Sequence, residues 1–69
     1  MKYVIIIEKA GSNYSAYAPD VPGCVATGKT KAIVRREMKA AIRMHLAGML
    51  EDGLRPPPAR TVAEILQVA

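Results

Sequence analysis

Cys24 is the only cysteine of this chain and His45 its only histidine, so any thiol chemistry would have to use this pair. Cys24 lies in the stretch APDVPGCVATGKT, residues 18–30. A cysteine attacks as its thiolate, which requires a neighbouring base or positive charge. The spacing places His45 on the apolar side of a predicted helix, facing a sheet. We therefore interpret Cys24 as a small buried side chain and His45 as a half-buried histidine, not as a catalytic pair.

Asp20 is the other candidate for chemistry in the same stretch. A catalytic or metal-binding carboxylate normally works with a second one, and no other acidic residue is placed near Asp20 by spacing. We expect Asp20 to hydrogen-bond the backbone two residues on, as aspartates in turns do. One cysteine and one histidine cannot form a zinc cluster of Cys and His ligands. We expect no enzyme activity, no metal and no cofactor.

The surrounding pattern changes from a period of two to a helical period at Thr30. Pro22 and Gly23 suit the centre of a type II turn, Thr30 suits a helix N-cap, and Gly53 suits a helix stop. The predicted elements are strands at about 2–9, 13–18 and 24–28, a helix at about 30–52, a Pro-rich linker at 55–59 and a strand at 64–68.

The last of these strands has an alternative. Thr61 and Glu64 also fit a capping box at the start of a helix. The apolar residues 65–68 equally fit a short edge strand, which we prefer.

This order predicts an α+β domain of two layers, β-β-β-α-β, with one helix on one face of the sheet. The other sheet face has no cover in this chain and should seek another molecule. A chain of 69 residues buries little core, which also favours self-association as a homodimer or tetramer. The candidate oligomer or partner surface consists of apolar residues of the first strand and of the helix edge, namely Tyr3, Ile5, Ile7, Ile33 and Met44.

Positive charge is concentrated on the helix. The chain has ten Lys and Arg against six Asp and Glu, a net charge of +4. Four cations, which we call the basic ridge, cluster on the side predicted to face away from the sheet: Arg35, Arg36, Lys39 and Arg43. The ridge is either a solvated helix face or a contact surface for nucleic acid or an acidic partner. No aromatic residue interleaves with it to stack on bases.

The first apolar run is too short for a signal peptide or a membrane span, so we interpret the protein as cytoplasmic, with no membrane partner.

The segments YSAYAPDVPGCVATGKT and AAIRMHLAGMLEDG, followed by a proline linker, resemble the HicB-like (UPF0150-like) antitoxins of prokaryotic type II toxin–antitoxin systems. The resemblance implies a partial RNase H-like fold without catalytic carboxylates, with a fourth strand beside the first. It also implies an antitoxin that binds HicA, a small ribonuclease that cleaves mRNA. The residues that would form the family's structural loop are Tyr17, Pro19, Asp20, Pro22, Gly23, Cys24 and Gly28.

This sequence departs from the family at its helix, which is more basic than usual from Lys31 to Lys39. HicA toxins are usually basic, so we expect the toxin to meet the sheet or loop side instead. Longer members carry a C-terminal DNA-binding domain, and we expect a short form without one. The alternatives are a nucleic-acid-binding module that uses the basic ridge, and a solitary domain that binds another protein or a small ligand.

Overall fold

The computed structural model describes all 69 residues and contains three strands and one helix. The strands are β1 (Ile6–Ala10), β2 (Asn13–Tyr17) and β3 (Val25–Gly28), and the helix is α1 (Lys31–Glu51). They form an antiparallel sheet in the order β1-β2-β3. The α+β class and the order of these four elements are confirmed. The helix is not both long and apolar enough to cross a bilayer.

The β1–β2 connection is a two-residue turn, since Ala10 pairs with Asn13. Gly11 has a φ of 61°, and Ser12 has no positive φ. A glycine with positive φ at the first central position is typical of a type II′ turn, which suits the twist of a hairpin. β1 and β2 therefore form a tight antiparallel hairpin.

Local signals fix both ends of α1. The Thr30 side-chain oxygen accepts a hydrogen bond from the Ile33 N–H at 3.1 Å, as a helix N-cap does. At the other end, the N–H groups of Gly53 and Leu54 donate to the carbonyls of Leu50 and Met49. With Gly53 at a φ of 73°, this is a Schellman motif.

The core is small and lies between α1 and the later strands. Its two helix residues, Val34 and Met38, have no exposed surface. The other four members of the core come from β2 and the segment that follows it: Ala16, Ala18, Val21 and Cys24. The helix packs on β2 and β3 and leaves β1 at the margin of the interface.

The two faces of the sheet follow from its register. Ile7, Ala16 and Ala26 lie opposite one another on the helix side. Ile6, Tyr17 and Val25 form an apolar row on the other face, which they share with Glu8, Ser15 and Thr27 and which no element of the chain covers. On this face Tyr17 is 45% and Val25 is 68% exposed.

The predicted start of the first strand is corrected. Tyr3, Ile5 and Ile7, the part of the predicted partner surface that this strand contributes, lie on the helix side of the sheet, where they pack against the core. β1 begins at Ile6 rather than near residue 2, because Ile6 pairs with Tyr17, the last residue of β2. Beyond this point β2 offers no further ladder partner.

The fourth strand, expected at residues 64–68, is not formed, and neither is the alternative helix. Residues 54–69 contain no regular secondary structure. A strand requires a neighbour that completes its ladder of hydrogen bonds, and residues 62–69 lie exposed, without one.

Gly28 should be essential for the approach of helix and sheet. A Cβ at this position would lie 2.8 Å from Cγ2 of Ile33 and 3.2 Å from Cγ2 of Val34. Both are β-branched side chains with little rotamer freedom. We expect Gly28→Ala to lower the free energy of unfolding by about 1–3 kcal/mol, measured by urea denaturation.

Gly48→Ala is the matched control, since Gly48 is helical and a Cβ there meets nothing within 4 Å. It should raise stability by about 0.5–1 kcal/mol. Equal effects of the two substitutions would contradict the proposed close approach.

Candidate partner-binding surfaces

The loop between β2 and β3 consists of two successive proline-containing turns. The Val21 N–H donates to the Ala18 carbonyl at 3.1 Å, and the Cys24 N–H donates to the Val21 carbonyl at 3.2 Å. In the second turn Pro22 is followed by Gly23 with a φ of 88°. This is the geometry of a type II turn, as the sequence predicts.

The carboxylate of Asp20 holds the distant C-terminal segment. It accepts hydrogen bonds from the N–H groups of Arg60 at 2.9 Å and Thr61 at 2.8 Å, and from the Thr61 hydroxyl at 2.8 Å. We call these three bonds the Asp20 anchor. The expectation that Asp20 bonds the backbone two residues on is wrong, because that residue is Pro22, which has no N–H.

The Asp20 anchor stabilises the ionised carboxylate. The pKa of Asp20 is lowered, chiefly by the backbone and side-chain hydrogen bonds from Thr61, against a smaller opposing effect of desolvation. Hydrogen bonds donated to a charged group favour its charged form. The anchor is thus strongest when Asp20 is ionised.

A second hydrogen bond holds the proline linker. The Tyr3 hydroxyl donates to the Pro57 carbonyl at 2.7 Å. The Pro57 carbonyl is free to accept this bond because the proline linker forms no regular secondary structure with hydrogen bonds of its own. Tyr3 and Asp20 together determine where the chain leaves the domain.

Cys24 and His45 do not form a catalytic pair. Cys24 is buried, its Sγ lies 3.8 Å from the Ala41 carbonyl oxygen, and desolvation raises its thiol pKa. His45 is exposed, so its expected position facing the sheet is wrong. At 21 residues α1 is about 32 Å long, whereas a five-residue strand spans about 17 Å. The helix therefore extends beyond the sheet, and His45 lies on the part without a facing strand.

A groove of about 550 Å³ runs between α1 and residues 1–5, which lead into β1, and we call it the basic groove. Its floor is apolar and its margin carries three of the four cations of the basic ridge. The lining residues are Met1, Tyr3, Ile5, Arg35, Met38, Lys39, Ile42, Arg43 and Leu46. Arg36 does not line it, and its Nε lies 3.8 Å from Oε1 of Glu37. The sequence predicts that these cations lie together on the helix, but it does not indicate that they flank an apolar groove.

A second groove, of about 480 Å³, lies on the β3 side of the helix. Ile33 and Met44, both predicted partner residues, line it together with Glu37 and small residues. Met44 is 75% exposed. Four of the five predicted surface residues thus lie in two different grooves, Tyr3 and Ile5 in the basic groove and Ile33 and Met44 in this one, and Ile7 lines neither.

Comparison with known proteins identifies relatives over nearly the whole chain. Residues 3–69 match the family described as HicB_like antitoxin of bacterial toxin-antitoxin system. An uncharacterized 14.9 kDa protein in the rep-hol intergenic region of Haemophilus phage HP1 is 38% identical over 66 residues. This match covers 96% of the chain and only 50% of the phage protein. The chain therefore spans about half the length of that relative.

Two further similarities agree with this family. A UPF0150 protein of Helicobacter pylori is 37% identical over 49 residues, which are 71% of the chain and 68% of that protein. Among solved structures, a chain of the HicA3 and HicB3 toxin-antitoxin complex superposes with a TM-score of 0.69 at 28% identity. It covers 86% of this chain and 70% of the matched one.

Removal of the Asp20 carboxylate should release the C-terminal segment without unfolding the domain. We expect trypsin to cleave Asp20→Ala after Arg60 at least about fivefold faster than the parent, because local opening exposes that bond. Asp20→Asn should lie between the two, since it retains one acceptor oxygen. The measurement is the appearance by mass spectrometry of the peptide of residues 61–69.

Asp52→Ala is the control for this experiment, since the Asp52 side chain is exposed and accepts no hydrogen bond. Cleavage elsewhere in the chain reports global unfolding. Equal release of the peptide by Asp20→Ala and the parent would contradict the anchor.

The anchor should also weaken in acid. A carboxylate with a lowered pKa contributes stability that is complete above its ordinary value, here 3.8, and is lost as the pH falls through the folded value. In an NMR titration the Thr61 amide proton should keep its shift from pH 7 to about pH 4.5 and move below pH 3.8. Asp20→Asn should lack this transition, and a transition retained in that variant would assign it to another group.

Proposed function

Because the chain belongs to the HicB-like antitoxin family, we propose that it is a non-catalytic antitoxin that binds and neutralises a HicA-type, mRNA-cleaving toxin. The observation that carries the proposal is the similarity along 86% of the chain to a structure of the HicA3 and HicB3 toxin-antitoxin complex. In this proposal the toxin is the protein partner of this chain, and the two proteins meet in the cytoplasm.

The chemistry of the side chains supports a role without catalysis. The single thiol is buried and its pKa is raised, which disfavours the reactive thiolate. The exposed apolar surface instead favours protein binding. Burial of such area supplies most of the affinity of protein complexes.

We place the toxin on the uncovered sheet face, formed by Ile6, Tyr17 and Val25. A tyrosine beside two β-branched residues provides a large contact area at low entropic cost. The basic groove lies on the other side of the sheet, so a basic toxin at this face avoids the like charges of the helix.

A specific observation also supports the alternative of nucleic-acid binding. Arg35, Lys39 and Arg43 recur every fourth residue and are all exposed, so they form one line of charge along the helix. Such binding would weaken steeply as the salt concentration rises. The apolar floor between these cations is unsuited to phosphates, which makes this the second candidate.

Two substitutions on opposite sides of the sheet separate the candidates. Val25→Lys should weaken toxin binding at least about tenfold, because it places a charge in the apolar contact. Arg43→Glu should change toxin binding less than about threefold and abolish retention on RNA or DNA. The measurement is copurification with a HicA-type toxin from the same genome, followed by an RNA cleavage assay across a salt series.

Both variants change exposed residues, so circular dichroism should show the parent fold. A salt-resistant complex that silences cleavage is the expected result. If no toxin copurifies and the protein alone retards nucleic acid in a manner abolished by Arg43→Glu, the antitoxin proposal is wrong.

A further inference from the structure

The C-terminal residues 62–69 project from the domain as an apolar segment, which we call the tail. Ile65 is fully exposed, Val68 is 91% exposed, and Val62 and Leu66 are also exposed. The molecule measures 46 Å along its longest axis and only 15 Å along its shortest, in agreement with a projecting segment. Four large apolar side chains in eight residues are an unusual content for solvent-exposed chain.

The tail begins at a fixed point. The Asp20 anchor holds Arg60 and Thr61, and the Tyr3 hydroxyl holds Pro57. The chain is therefore hydrogen-bonded to the domain up to Thr61, and it is exposed from the next residue on.

The same domain has an open strand edge beside an apolar groove. β1 pairs with β2 on one side only, so its other edge presents free N–H and C=O groups. The basic groove lies next to this edge, on the helix side of residues 1–5 that lead into β1, and Tyr3 and Ile5 form part of its wall. A chain segment added at this edge would both form a ladder of backbone hydrogen bonds with β1 and cover the groove.

We propose that the tail of one copy adds as a fourth strand to the β1 edge of a second copy and fills its basic groove, with both copies exchanging tails. In extended form the tail is about 26 Å long, enough to follow residues 3–10 of the partner copy. The exchange is symmetric, so one contact occurs twice in a closed dimer.

Charge complementarity selects this groove and sets the orientation of the tail. Alternate residues of a strand share a face, which places Glu64 on one side with Val62, Leu66 and Val68. When this side faces the basic groove, Glu64 lies at a margin that carries Arg35, Lys39 and Arg43. The groove at β3 carries Glu37 instead, which repels Glu64.

The second copy, rather than the tail's own domain, is the acceptor. In a single chain the tail does not enter its own groove, although both anchors that position it are formed. This inference concerns the protein alone and does not require the toxin proposed above. Failure of either proposal therefore leaves the other in place.

The first test measures the mass of the protein without toxin by sedimentation equilibrium across a concentration series. The parent should be a dimer, and Leu66→Asp should raise its dissociation constant at least about tenfold. Gln67→Asp is the matched control, since it adds the same charge on the other face of the tail. It should change the dissociation constant of the dimer less than about threefold. A monomeric parent, or a dimer indifferent to Leu66→Asp, overturns the proposal.

The second test distinguishes exchange from insertion of each tail into its own groove. Glu64→Lys and Lys39→Glu should each weaken dimerisation, because each produces like charges at both contacts. An equimolar mixture of the two variants should recover it, since every tail in the mixed dimer meets a groove of opposite charge. In one contact both charges are reversed, and in the other Glu64 and Lys39 are both unchanged.

Recovery on mixing is specific to contacts between copies, since a tail bound in its own groove does not respond to a second variant. Both residues are exposed, so loss of folding does not explain the single effects. Absence of recovery, with both variants folded by circular dichroism, would falsify the exchange.

Discussion

The packing of Val34 and Met38 against β2 and the loop after it is the interaction on which the rest of the domain depends. These two helix residues are fully buried, and the sheet side of the contact is made mostly of small residues such as Ala16, Ala18 and Cys24. Small side chains let the helix approach the sheet closely. Gly28 has no Cβ and so leaves room for Ile33 and Val34 in the first turn of the helix. Only six of 69 residues are buried as a result, so the chain removes little apolar area from water by folding alone.

This close approach over β2 and β3 also creates the grooves. A single helix cannot cover three strands at this distance, and Tyr3 and Ile5, which precede β1, lie beside an open depression. The uncovered sheet face arises for a separate reason, since no element within residues 1–69 packs against it. The domain therefore has two surfaces with exposed apolar residues on opposite sides of the sheet, and only the groove follows from the close approach of the helix.

Local signals were sufficient for most of the fold. The Pro22–Gly23 turn, the Thr30 cap and Gly53 each act within a few residues, so the sequence predicts them correctly. Most of the failures concern contacts between residues far apart in the chain. Nothing near Asp20 in sequence indicates Thr61 as its partner, although Pro22 already excludes the expected bond. The face of Tyr3, Ile5 and Ile7 depends on which side the helix packs, and alternation alone cannot decide this.

His45 and the fourth strand illustrate a further limit of periodicity. A helical period predicts the direction of a side chain but not whether the sheet extends far enough to meet it. Likewise, the apolar residues 65–68 show strand character in their sequence, but a strand exists only with a partner. No strand of the sheet pairs with these residues, so the predicted fourth strand is absent and they lie exposed.

The separation of the two surfaces would allow the proposed self-association and the proposed toxin binding to occur together. A partner at the basic groove covers the helix side of β1, whereas a partner at Ile6, Tyr17 and Val25 covers the opposite face. Each adds apolar burial to a domain whose own core is minimal, and each therefore stabilises the folded state by mass action. A thin core makes the stability of such a domain depend on its partners, and this dependence couples folding to assembly.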